Sequence, residues 1–310
     1  MPDSSKSCAN LQDSRETHTH PKRMSKSTTP QPFSLFPKSI KWGLKLLHFF
    51  SERAAFGVVY RLFFLPRPHQ TPEREQTYLK QWTWTPTPTP WGVLPVAVAT
   101  AAEHCPFHGR VLVLHGWSGR PTQMGGVVQA LQSAGFECWV PVAPGHVVGQ
   151  TGMSSLRDFA QFASWMQEHH GPFCAGVGHS LGGGALLMSV EHGGEWEQLI
   201  TISSFAKTER VFHEFIGQSG LPQRYVDRLF ERVTRELGSD PHFYSPHLAK
   251  HTGALLIVHS PDDAEVPFAD AECLRDRFPQ STLIATSPLG HRKILWRAET
   301  WEAVVGYLQK

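Results

Sequence analysis

The chain has 310 residues, of which 40% are hydrophobic, so it is long enough to bury a large core. Its five cysteines are odd in number and widely spaced, which argues against a disulfide framework and favours a reducing cytoplasm. The net charge of +2 conceals an asymmetry, because residues 1–90 carry 13 basic and 6 acidic side chains and are therefore basic. A basic segment of this kind favours an anionic partner, and we expect no nucleic-acid partner.

Residues 1–35 are rich in Ser, Thr, Pro and Lys and poor in apolar side chains, which predicts a disordered tail. Their start lacks the apolar core of a signal peptide, so we expect a cytoplasmic protein.

The composition changes over residues 36–65, where Phe36, Ile40, Leu44 and Leu47 recur at three- and four-residue spacing. Leu46, Phe49 and Phe50 widen this stripe, and another face carries Lys38, Lys41 and Lys45. The pattern predicts a basic amphipathic helix within an extension that spans residues 36–80. The helix either docks on the rest of the protein, the commoner use of such a helix, or lies at a membrane surface with its lysines near anionic headgroups. The second alternative would place the protein at the inner membrane face. Interrupting charges predict that it does not span the bilayer.

Residues 82–85 and 94–100 are predicted to form an early antiparallel pair of strands, joined by a stiff link at residues 85–90 (TPTPTP). Predicted strands and helices then alternate, which is typical of an α/β fold with parallel strands and crossover helices. The predicted strands are residues 111–114, 136–142, 173–179 and 198–202, and the predicted helices are residues 121–134, 154–169 and 181–191.

Residues 178–182 (GHSLG) carry the pattern Gly-x-Ser-x-Gly between a predicted strand and a predicted helix. In this setting a very tight turn holds the serine hydroxyl clear of the backbone, so Ser180 is a candidate nucleophile. The alternative is an ordinary glycine-rich turn, and the residues that follow decide between the two.

Two further strands are predicted at residues 254–260 and 281–286, and each is followed by a candidate partner for Ser180. Asp263 follows the first strand and His291 follows the second, in the chain order Ser, Asp, His. An imidazole is needed to take the serine proton, and a carboxylate is needed to orient that imidazole. The neighbouring Asp262 is interpreted as a turn residue that caps its own backbone.

The segment His115-Gly116-Trp117 follows the strand at residues 111–114. Backbone N–H groups of Trp117 and Leu181 are the expected donors to a developing oxyanion. Gly116 lets the loop approach Ser180, while His115 and His179 are expected to support the loops. His104, Cys105 and His108 lack a second ligand cluster, so we predict no metal site.

Together with Pro144-Gly145-His146, these segments make residues 109–310 resemble the α/β-hydrolase fold superfamily, in particular its bacterial esterase-like members. The resemblance implies a mostly parallel sheet with helices on both faces, with Ser180 as nucleophile, Asp263 as acid and His291 as base. It implies no cofactor. It also implies a hydrolase domain over residues 81–310, with a short helical lid at residues 206–250.

These features predict a serine hydrolase that cleaves a carboxylic ester or thioester through an acyl-enzyme. Acyl transfer and amide cleavage use the same groups and remain alternatives, because the triad does not select the leaving group. A hydrolase fold that binds partners without catalysis is the alternative from another functional class.

Overall fold

The computed structural model describes residues 35–310 apart from 151, 239, 241 and 243, and these residues belong to the unit Pro32–Lys310. The predicted tail therefore lies, except for Leu35, outside the described residues. Residues 36–80 belong to the same unit as the sheet.

One sheet of eight strands forms the centre of the fold, in the order β1-β2-β4-β3-β5-β6-β7-β8. Strands β1 and β2 form antiparallel pairs, and β3 to β8 run parallel to one another. The predicted α/β class with a mostly parallel sheet is confirmed. The strands are β1 Thr83–Thr89, β2 Gly92–Ala99, β3 Gly109–Leu114, β4 Phe136–Pro141, β5 Ala175–His179, β6 Gln198–Ile202, β7 Ala254–His259 and β8 Ser281–Ala285.

Helices cover both faces of this sheet, as predicted. Phe159 and Leu186 belong to the buried cluster on one face, and Val127 and Val304 belong to the cluster on the other. The helices in chain order are α1 Lys38–Phe50, α2 Glu52–Phe64, α3 Gln76–Gln81, α4 Gly125–Ser133, α5 Leu156–His170, α6 Leu181–Ser189, α7 Thr208–Ser219, α8 Arg224–Leu237, α9 Phe268–Arg277, α10 Gly290–Lys293 and α11 Ala298–Leu308.

The sequence predicted that the proline-rich segment links two strands. In the structure this segment is instead part of strand β1. Pro86 pairs with Pro95 and Pro88 pairs with Val93 in the antiparallel register. Strand β1 lies at the edge of the sheet. Successive N–H groups of a strand point in opposite directions, so an edge strand tolerates proline wherever the N–H would face away from its neighbour.

The predicted amphipathic helix is two helices, α1 and α2, which meet at Ser51. The backbone of Ser51 is extended, and its N–H donates to the carbonyl of Leu47 at 2.8 Å. Its hydroxyl accepts a hydrogen bond from the N–H of Ala54 at 3.2 Å and so caps α2. One residue therefore ends the first helix and begins the second. No helix in the described part of the chain is long and apolar enough to cross a bilayer.

The helix pair packs against α7 and α8, the two helices of the predicted lid region, through a third buried cluster. Leu44 and Val59 of the pair share this cluster with Phe215, Ile216 and Val226. Polar contacts to α8 add to the apolar ones. His48 of α1 contacts Tyr225 at 2.8 Å, Glu52 of α2 contacts Arg224 at 2.9 Å, and Tyr60 of α2 donates a hydrogen bond to Glu236.

Candidate active site

Ser180 occupies a sharp turn between β5 and α6, with backbone angles φ 52° and ψ −117°. A positive φ is strained for a residue other than glycine, and such strain clusters at functional sites. The flanking glycines permit the turn: a Cβ at Gly178 would collide with the backbone of the first turn of α6, and one at Gly182 would lie 2.6 Å from the carbonyl oxygens of Leu114 and His115. The sequence pattern thus has a steric cause in the close approach of β3, β5 and α6.

Asp263 and His291 meet although they follow different strands. Nδ1 of His291 lies 2.8 Å from Oδ2 of Asp263, and both side chains are buried. The other carboxylate oxygen accepts hydrogen bonds from the N–H groups of Glu265 at 2.9 Å and Val266 at 2.8 Å. Burial by itself raises the pKa of Asp263, but the hydrogen bond from His291 and the two backbone donors outweigh it and hold that pKa below its usual value. The carboxylate is therefore ionised at neutral pH and fixes the orientation of His291.

The structure corrects the interpretation of Asp262, which does not cap its own backbone. Its Oδ1 accepts hydrogen bonds from the hydroxyl of Ser260 at 2.6 Å and from the N–H of Gly290 at 2.8 Å. The Ser260 oxygen in turn accepts from the N–H groups of Leu289 and Gly290. These contacts fasten the loop that carries His291 to the end of β7.

His259 is a site residue that the sequence analysis missed. It is fully buried at the end of β7, and its Nε2 donates to the carbonyl of Val266 at 2.9 Å and lies 3.6 Å from Oδ2 of Asp263. Burial lowers the pKa of His259. The sequence indicated this role only through the position of His259, at the end of an apolar strand just before the acidic turn. Its neutral imidazole supports the turn that presents Asp263.

The loop after β3 is braced by two buried histidines. His115 donates from Nδ1 to the carbonyl of Gly116 at 2.8 Å and accepts at Nε2 from the N–H of Ala143 at 3.2 Å. His146 donates to the carbonyl of Pro144 at 2.8 Å and accepts from the N–H of Ser118 at 3.0 Å. Desolvation lowers the pKa of His115 to about 3 and that of His146 to about 4, so both are neutral supports.

The loop also comes close to the serine, at Gly116. A Cβ there would lie 3.0 Å from Cβ of Ser180 and 3.1 Å from Nδ1 of His179. Leu181 is the first residue of α6, where backbone N–H groups have no acceptor within the helix. Trp117 and Leu181 both line the cavity that contains Ser180.

His179 connects the serine turn to the histidine loop. Its Nε2 donates to the backbone carbonyl of His291 at 2.9 Å, and the two rings lie 4.8 Å apart. Its Nδ1 is buried and has no hydrogen-bond partner among the described residues. Desolvation lowers the pKa of His179 to about 3, which keeps the ring neutral. The residue thus holds the main chain of His291 in place.

A buried ion pair, also missed from the sequence, secures the far end of the loop after β3. Two nitrogens of Arg120 each donate to the Glu75 carboxylate at 2.6 Å, and the hydroxyl of Thr122 adds a third hydrogen bond at 2.9 Å. The side chain of Glu75 is 0% exposed and that of Arg120 is 16% exposed. Glu75 lies in a short turn before α3, so nothing near it in sequence indicated this contact.

Ser180 and His291 line the same cavity, which has a volume of about 570 Å³. The hydrogen bonds within the described part of the chain do not include one between the Ser180 hydroxyl and His291. Two further walls are largely apolar, and the lid also contributes Arg210 and Glu214. The lid region contributes Val211, Phe212 and Phe215, and the N-terminal segment contributes Leu35, Phe36, Leu62, Phe63, Phe64 and Leu65. A lid at residues 206–250 was predicted from the sequence, and the structure adds the N-terminal segment to the walls of the cavity.

A family model described as the α/β-hydrolase family matches residues 111–306. The chain belongs to the α/β-hydrolase family. The matched residues include Ser180, Asp263 and His291, and they run from β3 into α11. The resemblance drawn from the sequence motifs is therefore confirmed at the level of the family.

Solved structures agree with this α/β-hydrolase assignment. An esterase from the Planctomycetes species Thermogutta terrifontis, with butyrate bound, has a TM-score of 0.56 at 15% identity, covering 78% of this chain and 94% of its own. The esterase from Exiguobacterium antarcticum has a TM-score of 0.51 at 18% identity, and the match covers 74% of this chain and 99% of the esterase. Alpha/beta hydrolase domain-containing protein 10 from mouse has a TM-score of 0.55 at 13% identity, and the match covers 74% of this chain and 96% of the mouse protein. At these identities the likeness shows the fold alone. No curated protein matches the chain.

Proposed function

We propose that this α/β-hydrolase cleaves a carboxylic ester or thioester by means of Ser180, His291 and Asp263. The observation that carries the proposal is the 2.8 Å contact between Asp263 and His291, beside a strained Ser180 that lines the same cavity. Nδ1 of His291 is occupied by the carboxylate, which leaves Nε2 as the ring nitrogen available to the serine hydroxyl. Membership of a hydrolase family supports the same reaction type.

The reaction follows from these positions. The Ser180 oxygen attacks the substrate carbonyl carbon while its proton passes to Nε2 of His291, and the Asp263 carboxylate stabilises the resulting imidazolium. The carbonyl oxygen becomes an oxyanion, which the backbone N–H groups of Trp117 and Leu181 stabilise. His291 then protonates the leaving alcohol or thiol, and the bond from the carbonyl carbon to that group breaks.

The acyl-enzyme is resolved by the same groups. His291 takes a proton from a water molecule, whose oxygen attacks the acyl carbon. The proton then returns to the Ser180 oxygen as the carboxylic acid departs. An alcohol or amine in place of the water would give acyl transfer, so the identity of the acceptor depends on what reaches the cavity.

The cavity supports a substrate with an apolar acyl group. A volume of about 570 Å³ falls within the range of sites that enclose small organic ligands. Aromatic and aliphatic side chains of the helix pair and the lid form two of its walls, as an acyl chain requires. Phe63 contacts Phe212 and Phe215 edge to face, with ring centroids 4.7 and 4.8 Å apart, which joins these two walls.

A fluorophosphonate probe together with a series of p-nitrophenyl esters tests the proposal. We expect the probe to label the native protein and not Ser180→Ala, and ester turnover to fall by roughly 10⁴-fold or more in that variant. Product analysis in the presence of an added alcohol separates hydrolysis from acyl transfer. Labelling that persists in Ser180→Ala would exclude Ser180 as the nucleophile.

The adjacent aspartates provide a matched pair of variants for the acid. Asp263→Asn removes the charge next to His291 and should lower kcat by about 10⁴-fold. Asp262→Asn makes the same chemical change one residue earlier but leaves the 2.8 Å contact with His291 intact, so its loss should be far smaller. The opposite ranking of the two variants would show that the acid is misassigned.

A further inference from the structure

Helix α1 carries two apolar faces, and the described residues cover one of them. Ile40, Leu44 and Leu47 take part in the cluster shared with the lid. A second set, spaced by four and three residues, faces solvent: Trp42 is 75% exposed, Leu46 60% and Phe49 82%, and the adjacent Phe50 is 75% exposed. We call this set the outer face. Contiguous exposed aromatic side chains of this size are uncommon on a soluble protein and mark an interaction surface.

Basic side chains border the outer face. Lys38 and Lys45 lie four residues before and three residues after Trp42, which places them on the same side of the helix, and both are exposed. Across residues 38–64 there are five basic side chains and a single acidic one, Glu52. That acidic group is neutralised within the protein by Arg224 at 2.9 Å and Arg228 at 3.3 Å. The surface that remains is apolar and positively charged.

We propose that the outer face of α1 docks on the surface of an anionic phospholipid bilayer. Tryptophan and phenylalanine insert well at the boundary between headgroups and acyl chains, and lysines beside them contact anionic headgroups. Because α1 is held to the body through its other face, the outer face is presented as a rigid surface. This docking goes beyond the proposed reaction and does not depend on it.

Charge argues against the two other occupants that the chain itself could supply. A second copy would bring one lysine-bordered face against another, and like charges oppose that contact. The segment 1–34 also has the same sign, with five basic and three acidic side chains. An anionic lipid surface complements both the apolar and the charged parts of the outer face.

Vesicle flotation of the full-length protein tests the proposal, with vesicles of phosphatidylcholine containing 30% phosphatidylserine and vesicles of phosphatidylcholine alone. We expect binding to the anionic vesicles, weakened by salt. The double variant Trp42→Ser/Phe49→Ser should weaken it about 100-fold. Lys38→Gln/Lys45→Gln should weaken binding to anionic vesicles by roughly 20-fold and leave binding to neutral vesicles unchanged.

Two controls make the result specific. Phe107→Ser removes an aromatic side chain that is exposed on the loop before β3 and should leave vesicle binding unchanged. Ser180→Ala should bind vesicles as the native protein does, so a failure of the proposed reaction is distinguishable from a failure of the docking. The proposal is overturned if the native protein does not bind anionic vesicles. It is also overturned if the outer-face variant binds them equally well, or if that variant loses a self-association that the native protein shows without lipid.

Discussion

Lowering the pH from 7.5 to 5.5 is expected to destabilise this protein, because His115, His146 and His179 are buried in the neutral form. Desolvation is the main cause of the lowered pKa of each, to about 3, 4 and 3 respectively from an ordinary value of 6.5. In the unfolded chain these groups take up protons near pH 6.5, whereas in the folded protein they remain neutral until the pH is far lower. The unfolded state therefore binds more protons in this window, and the free energy of unfolding falls as the pH falls.

The magnitude follows from the size of these shifts. Each histidine loses about 1.4 kcal/mol of stabilisation between pH 7.5 and pH 5.5, or about 4 kcal/mol for the three. Such a loss is about a quarter or more of the roughly 5–15 kcal/mol that is usual for the unfolding of a domain. Burial lowers the pKa of His251 and His259 as well, which contributes with the same sign. Asp263 does not contribute in this window. Its pKa is lowered in the folded protein, so its stabilisation is lost only as the pH falls below about 4, the ordinary pKa of a carboxylate.

Urea unfolding, followed by tryptophan fluorescence at several pH values, measures the effect. His115→Gln removes one titrating group and should reduce the slope of unfolding free energy against pH by about 1.2 kcal/mol per pH unit between pH 6 and pH 5. A loss of stability that is equal at every pH does not change this slope, so the slope reports the titration of His115 alone. Equal slopes for His115→Gln and the native protein would refute the reasoning.

Three further substitutions test contacts that hold the site and the helix pair. Glu75→Gln should lower the free energy of unfolding by about 3–5 kcal/mol, because it leaves the largely buried Arg120 side chain without its charged partner. A decrease below about 1 kcal/mol in chemical unfolding would contradict this. Gly182→Ala places a Cβ 2.6 Å from carbonyl oxygens at the end of β3. It should lower the free energy of unfolding by about 3 kcal/mol or more, and a stability equal to that of the native protein would contradict this. Leu44→Ala should lower the free energy of unfolding by about 2–5 kcal/mol, because Leu44 is buried, whereas Leu46→Ala at an exposed position should lower it by less than about 0.5 kcal/mol. Equal losses would show that α1 is not docked as described.

Part of the site could be predicted from the sequence because its determinants are local. Gly178 is set by the turn itself, because a Cβ there would collide with the backbone of Gly182 and Gly183 in the first turn of α6. The alternation of apolar runs with helical segments reports the α/β fold in the same way. Asp263 and His291 were predicted from their places after successive strands, since the carboxyl ends of parallel strands meet at one edge of a sheet.

Contacts between distant parts of the chain were decided only by the tertiary structure. The pairing of Glu75 with Arg120 and the approach of His259 to Asp263 depend on how loops pack, which residue spacing does not encode. The apolar residues of α1 formed one broad stripe in the sequence, and packing on the lid covers Leu44 while leaving Trp42 exposed. Periodicity tells which side chains share a helix face, because that follows from helix geometry; which face is covered depends on the shape and charge of what lies opposite.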